Sequence, residues 1–299
     1  MLNRRLLKFA LAGAALIALP VGVEAHRMWM IASSTVVSGA SNWITIDAAV
    51  SNDLFYFDHR PLGAKPVVTA PDGSTVEIAN HSVGNIRATF DVQLTQQGTY
   101  RIAVVNEGVV GRYTLNGEVK GLPRGTTKAN LAAAIPAGAT NVETADNVSR
   151  NEIYVTQGAP STGVFKPTGA GIELVPVTHP NDLISGEAAT LQFLLDGKPG
   201  ANLSVTAIPG GIRYRDKVNE MHLTTDAQGK VAITWPEPGM YWLNVTEARA
   251  PGEEGPGGPG GPGAGAPGAG AGAPGAAPRQ PGPPRRRVGY VTTLEVLAP

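Results

Sequence analysis

Six stretches of this chain alternate apolar and polar residues, and turn chemistry separates them. Trp43 to Ala48, Ile86 to Val92, Thr99 to Val105, Ala201 to Ile208, Lys230 to Trp235 and Met240 to Val245 each send every second side chain to one face. That is the period of a strand with one buried side. Pro71-Asp72-Gly73, Gln97-Gly98, Asp196-Gly197, Gln228-Gly229 and Glu237-Pro238-Gly239 supply the turns. The one helix candidate is short, Thr127 to Ala134, with Thr126 or Thr127 as cap and Pro136 as stop. Short strands punctuated by turns predict an all-β chain of β-sandwiches rather than an α/β fold.

Two immunoglobulin-like β-sandwich domains are expected. The first covers 26–119. A connector, 120–171, carries the short helix and one strand, Glu152 to Thr156. The second is built from 172–249 plus 288–299. Within it, Gly186 to Ile208 resembles immunoglobulin-like modules in which an extended strand meets a turn of the form Asp196-Gly197-Lys198-Pro199. Residues 250–287 are nearly all Gly, Pro and Ala, ending on Arg285-Arg286-Arg287. They lack the register of collagen, so a disordered Gly/Pro-rich insertion is expected there. The chain returns to an apolar strand, Val288 to Leu297, which makes the insertion a loop before a last strand rather than a tail.

Residues 1–25 read as a cleavable export signal. They have a basic start (Arg4, Arg5, Lys8), an apolar run from Phe9 to Leu19 and a small-residue end, Val23-Glu24-Ala25. The run is shorter than the ~20 residues a membrane span needs. No later segment is long enough either, so no membrane insertion is expected after cleavage. The expected address is the periplasm, by the general secretory or the twin-arginine route. The chain has no cysteine, which excludes disulfides and a lipid-anchored N-terminal cysteine and leaves stability to packing. Lys+Arg and Asp+Glu number 24 each. Losing the signal removes three cations and one anion, so the chain carries no footprint for nucleic acid.

Cleavage after Ala25 makes His26 the first residue of the mature protein, and its α-amine and ring can then chelate one metal ion. In an extended start, His26, Met28 and Met30 share a face opposite Arg27 and Trp29. Imidazole with thioether suits copper, and imidazole with carboxylate suits nickel or zinc. The chain has 5 histidines, and none pair at helical metal-site spacing, so any site must be assembled from distant loops. His59 is the best partner for His26. It lies in Asn52 to Pro61, a loop with three aromatics and two carboxylates, where Asp58 could orient the ring or bind the ion. His179 stands at the entrance to the second unit and could complete a site at the junction. Core packing of Met28 and Met30, a backbone-bonded His59 and a turn role for His179 remain the alternatives. His81 and His222 receive no assignment. Arg213 and Arg215 flank Tyr214 and could hold a carboxylate or carbohydrate ligand, or form ion pairs across a hairpin. The chain shows no nucleophile–base motif, nucleotide loop or paired acids, so a non-enzyme is expected.

Four stretches resemble the DUF4198 family, also called NikM-like. They are Ala25 to Met30, Leu174 to Leu183, Gly210 to Asp216 and Trp235 to Trp242. The resemblance covers most of 25–249 plus the last strand and leaves out the insertion. It implies a periplasmic β-rich protein associated with TonB-dependent receptors or with nickel or cobalt uptake, and it carries over no ligand set. A chain without membrane spans could serve only as an accessory. The expected function is therefore binding or delivery of a divalent transition metal (nickel, cobalt or copper) by His26, His59, Asp58 and His179. Its expected partners, besides the ion, are a TonB-dependent receptor or a membrane transporter. A metal-free sandwich contacting such a receptor or a glycan is the alternative. A copper-dependent oxidative enzyme, built on an N-terminal histidine and a second histidine, stands behind both.

Overall fold

The computed structural model describes residues 26–248 and 286–299. The expected export signal (1–25) and nearly all of the expected insertion (250–287) lie outside the described residues. The first part of the chain forms β1 (Arg27–Ala32), β2 (Val36–Val37), β3 (Asn42–Ser51), β4 (Arg60–Pro61), β5 (Val67–Thr69), β6 (Thr75–Val76), β7 (Ala79–Val83), β8 (Ala88–Leu94), β9 (Gly98–Leu115) and β10 (Glu118–Gly121). Then follow α1 (Leu131–Ala134), β11 (Thr140–Gln157), β12 (Ile172–Pro176), β13 (Ala188–Leu195), β14 (Lys198–Pro199), β15 (Leu203–Pro209), β16 (Met221–Thr224), β17 (Lys230–Thr234), β18 (Gly239–Glu247) and β19 (Arg287–Val296). The fold is all-β.

Three sheets make two sandwiches. A ten-stranded sheet runs β16-β15-β18-β19-β11-β9-β5-β6, with β10 on β9 and β2 on β11. A five-stranded sheet, β1-β3-β8-β7 with β4 on β3, covers one face of it, and a four-stranded sheet, β12-β13-β14 with β17 on β13, covers the other. Alternation along β11 shows the arrangement. Ile153 and Val155 enter the first core with Ile44, Ile46, Phe90, Tyr100 and Ile102. Tyr154, between them, enters the second with Leu191, Phe193, Leu243, Val245 and Tyr290. The sandwiches therefore share one sheet and sit on opposite faces of it.

The stretch expected as a connector supplies this shared strand. β11 pairs antiparallel with β9 on one side and parallel with β19 on the other. The returning strand after the insertion thus lies at the seam, between β11 and β18. The helix is shorter than its sequence pattern. Asn130 Oδ1 accepts the Thr127 amide and Thr127 Oγ1 accepts the Asn130 amide, a reciprocal cap on the turn that leads into α1. The Asp196-Gly197 turn folds as read, with φ of 52° and 75°, the pair of positive values that a two-residue type I′ hairpin requires.

An ion cluster is buried at the seam. Arg150 on β11 lies 3.5 Å from both Glu152 and Glu173, and all three side chains are almost fully buried. Burial alone would raise the Glu173 carboxyl. Hydrogen bonds from Thr168 and Gly169, with Arg150 beside it, hold it below the usual carboxylate value. Tyr154 donates to Glu152 at 2.7 Å, and the Tyr154 and Tyr290 hydroxyls lie 3.0 Å apart.

Candidate functional site

His26 precedes β1, and His59 precedes β4. Both strands flank β3, with Arg27 opposite Ser51 and Arg60 opposite Val50. Just past the end of β3 nothing separates the two neighbours, and the histidines meet. Their ring centres are 3.8 Å apart with planes tilted by 40°. His59 is exposed and His26 half-buried. Neither ring makes a hydrogen bond among the described residues, so their nitrogens are not held by a structural role. Burial, then the neighbouring His59 and Arg60, hold the His26 imidazole below its ordinary value of 6.5, with Asp58 opposing. The neutral ring, the form that binds metal, is favoured.

The loop that presents His59 is rigidly built. Asp58 accepts the backbone amides of Asn52 at 3.1 Å and Asp53 at 3.3 Å, closing the loop on its own start. Arg27 donates to the Asn52 carbonyl at 2.8 Å. Trp29 Nε1 donates to Ser51 Oγ, which in turn donates to the Asp53 carbonyl. Leu54 is fully buried, and Phe55 and Phe57 pack on Trp29 at 5.5 and 5.4 Å between ring centres. Arg87 caps the Phe57 ring at 4.7 Å.

Residues 23–248 match the family described as "Domain of unknown function (DUF4198)". The chain is a member of the DUF4198 family. A search of curated proteins finds no match. Among solved structures, similar chains include the human OSCAR ligand-binding domain, 15% identical over 76% of this chain and 93% of that one, with a TM-score of 0.18. They also include the D0-D1 domain of intimin, 13% identical over 89% and 97%, with a TM-score of 0.20. These superpositions are too loose to assign a role.

In this DUF4198 chain the candidate site draws together three of the four residues singled out from the sequence. His26, His59 and Asp58 converge, with Asp58 engaged as the loop's closing acceptor. His179 lies elsewhere. Its Nε2 is 3.0 Å from Thr99 Oγ1 and 3.3 Å from the Ser161 carbonyl, and its Nδ1 accepts the Asn181 amide at 3.1 Å. Both nitrogens are used, so this ring ties the turn before β13 to the start of β9. Met28 and Met30 are buried, and Met30 belongs to the first core. His81 packs on Phe90 and His222 lies near Glu220, away from the pair. Among the described residues no three His, Asp or Glu side chains form a cluster able to hold a metal. The donor set on offer is two imidazoles and the nitrogen that cleavage after Ala25 would free on His26.

Sequence reasoning did not find the brace on this loop. Arg215 makes no ion pair among the described residues. It donates to the carbonyls of Pro209, Gly210, Lys217 and Val218, clamping its own segment. That clamp presents Arg213, which lies over the Tyr56 ring and 3.6 Å from Asp53. Gly210 makes the approach possible, because a Cβ there would sit 2.9 Å from the Phe55 ring. The expected hairpin ion pair is therefore an inter-sandwich contact instead, and only three-dimensional docking could reveal it.

Proposed function

We propose that this DUF4198 protein is an exported, non-enzymatic accessory that binds a divalent transition metal at its mature N-terminus and delivers it for uptake. The meeting of His26 and His59, with ring nitrogens that make no hydrogen bond among the described residues, carries this reading. After cleavage the ion would take the α-amine and ring of His26 and the ring of His59. Three nitrogen donors suit nickel or copper, with cobalt also accommodated by imidazole. With metal–nitrogen bonds of about 2 Å, two imidazoles on one ion have centres roughly 4.5 Å apart or more. Loading would then spread the pair by about 1 Å, a small movement for an exposed His59. Asp58 supplies a nearby negative charge that favours the loaded state. An exposed three-donor site leaves positions for an acceptor's ligands, which release to a receptor or transporter requires.

Calorimetric titration of the mature protein with nickel, cobalt and copper tests the reading. One-to-one binding that weakens at least about tenfold (~1.4 kcal/mol) in His59→Ala supports it. Binding unchanged in His59→Ala contradicts it.

A further inference from the structure

The outer face of the five-stranded sheet carries one side chain that its surroundings do not account for. Along β3 and β8 the inward residues Ile44, Ile46, Phe90 and Val92 are buried, and the outward ones, Thr45, Asp47, Thr89, Asp91 and Gln93, are polar. Trp43 is the exception. It is 58% exposed, whereas Trp29 and Trp235 are 0% and Trp242 is 7% exposed. Gln93 stands directly opposite it, and the Thr45–Asp91 pair forms the next outward row.

That row is positioned by a backbone irregularity. The register of β7 on β8 shifts between Ala79 and Ser82, and Asn80 takes a φ of 52°. The bulge aims the Asn80 amide at Asp91 Oδ2, 2.7 Å away, while the Thr45 hydroxyl donates to Oδ1 at 2.7 Å. These two bonds use half of the roughly four lone-pair sites a carboxylate offers, and the rest face solvent. Among the described residues the Gln93 side chain makes only a long contact with Ser41, at 3.4 Å.

We propose that this face binds a neutral carbohydrate, one pyranose ring stacking on Trp43 while its hydroxyls bond Gln93 and Asp91. An aromatic plane beside a pre-oriented carboxylate and a primary amide matches a sugar, which presents an apolar C–H face and a rim of hydroxyls. A folded protein partner needs about 800 Å² on each side with an apolar centre, and one tryptophan supplies at most about 250 Å². An anionic membrane needs a cationic cluster, whereas Arg87 is paired with Asp47 at 3.3 Å. The carboxylates on this face also disfavour acidic sugars.

The chain's only strongly exposed tryptophan gives the test its signal. Acrylamide quenching of tryptophan fluorescence is measured with cellohexaose, chitohexaose or laminarihexaose, and with polygalacturonate as the acidic comparison. Chelator is present throughout and the N-terminus carries an added alanine, so the result is independent of metal binding. The expected result is protection of the quenchable fraction by at least one neutral hexasaccharide, with calorimetric affinity falling about tenfold in Asp91→Ala and lost in Trp43→Ala. Trp43→Phe, which keeps a ring, retains part of it, and unchanged melting curves show that these surface variants fold. No protection by any neutral hexasaccharide, equal binding by Trp43→Ala, or preference for polygalacturonate would overturn the proposal.

Discussion

The guanidinium of Arg213 lies 4.6 Å above the ring of Tyr56, joining a clamped segment of the second sandwich to the loop that ends in His59. The candidate site therefore depends on both sandwiches, although its donors come from the first. A cation–π contact at an exposed position contributes about 0.5–1 kcal/mol. Arg213→Ala should leave the melting temperature within about 2 °C, because Arg213 is more than half exposed. It should weaken nickel binding by about two- to fivefold through a looser loop. Calorimetry and thermal melts on the same preparations separate the two effects.

Gly210 against Phe55 is the tighter part of the same contact. Gly210→Ala places a methyl against both the ring and the Met240 carbonyl, 3.1 Å away. Overpacking of this kind costs about 1–3 kcal/mol. Phe55→Ala should also destabilise, but the double variant should lose less than the sum, since the ring's share of the clash disappears while the Met240 carbonyl contact stays. Urea unfolding of the four proteins gives the coupling energy, and strict additivity would place the strain elsewhere.

Arg150 is paired with two buried carboxylates. Arg150→Met should destabilise by about 3–5 kcal/mol, because Glu152 and Glu173 are left uncompensated. Adding Glu152→Gln and Glu173→Gln should recover much of that loss. The check is denaturant midpoint at constant slope.

Burial lowers the pKa of His179, and its bond to the Ser161 carbonyl and the nearby Asp182 only partly oppose this. A folded-state value below the unfolded 6.5 means that the unfolded chain binds the extra proton first. Stability is then full above about pH 6.5 and declines as pH falls below it. Protonation would also remove the acceptor that Nδ1 offers the Asn181 amide. His179→Gln should melt lower than wild type at pH 7.5, and the gap should narrow by pH 5. A gap that stays constant would show that His179 does not titrate in this range.

Much of this was legible in the sequence for local reasons. Strand alternation and turn residues act over a few positions, so the strands from Trp43 to Val245 and the Asp196-Gly197 hairpin could be read directly. His26, Asp58 and His59 could be grouped because a loop after an early strand returns to that strand's neighbours. Partners chosen by sheet pairing could not be read. The parallel union of β11 with β19, the Arg213–Tyr56 contact and the capture of His179 by Thr99 each depend on which strands become adjacent. Periodicity is silent on that. The short helix forms within its expected stretch, as Leu131–Ala134, after a turn in which Thr127 and Asn130 cap each other's amides.

The most direct test of the metal reading adds one residue. Nickel and copper are titrated into the mature protein, its first residue verified as His26 by mass spectrometry, and into a form with one alanine before His26. The added residue leaves both rings in place and removes only the free amine on His26. Tight one-to-one binding is expected for the first form and a large loss of affinity for the second. The difference between the two forms should be largest above about pH 8, where the amine is deprotonated, and should narrow as pH falls and the amine protonates. Equal affinity in the two forms would contradict the N-terminal chelate, and no binding in either would leave the paired histidines without a metal role.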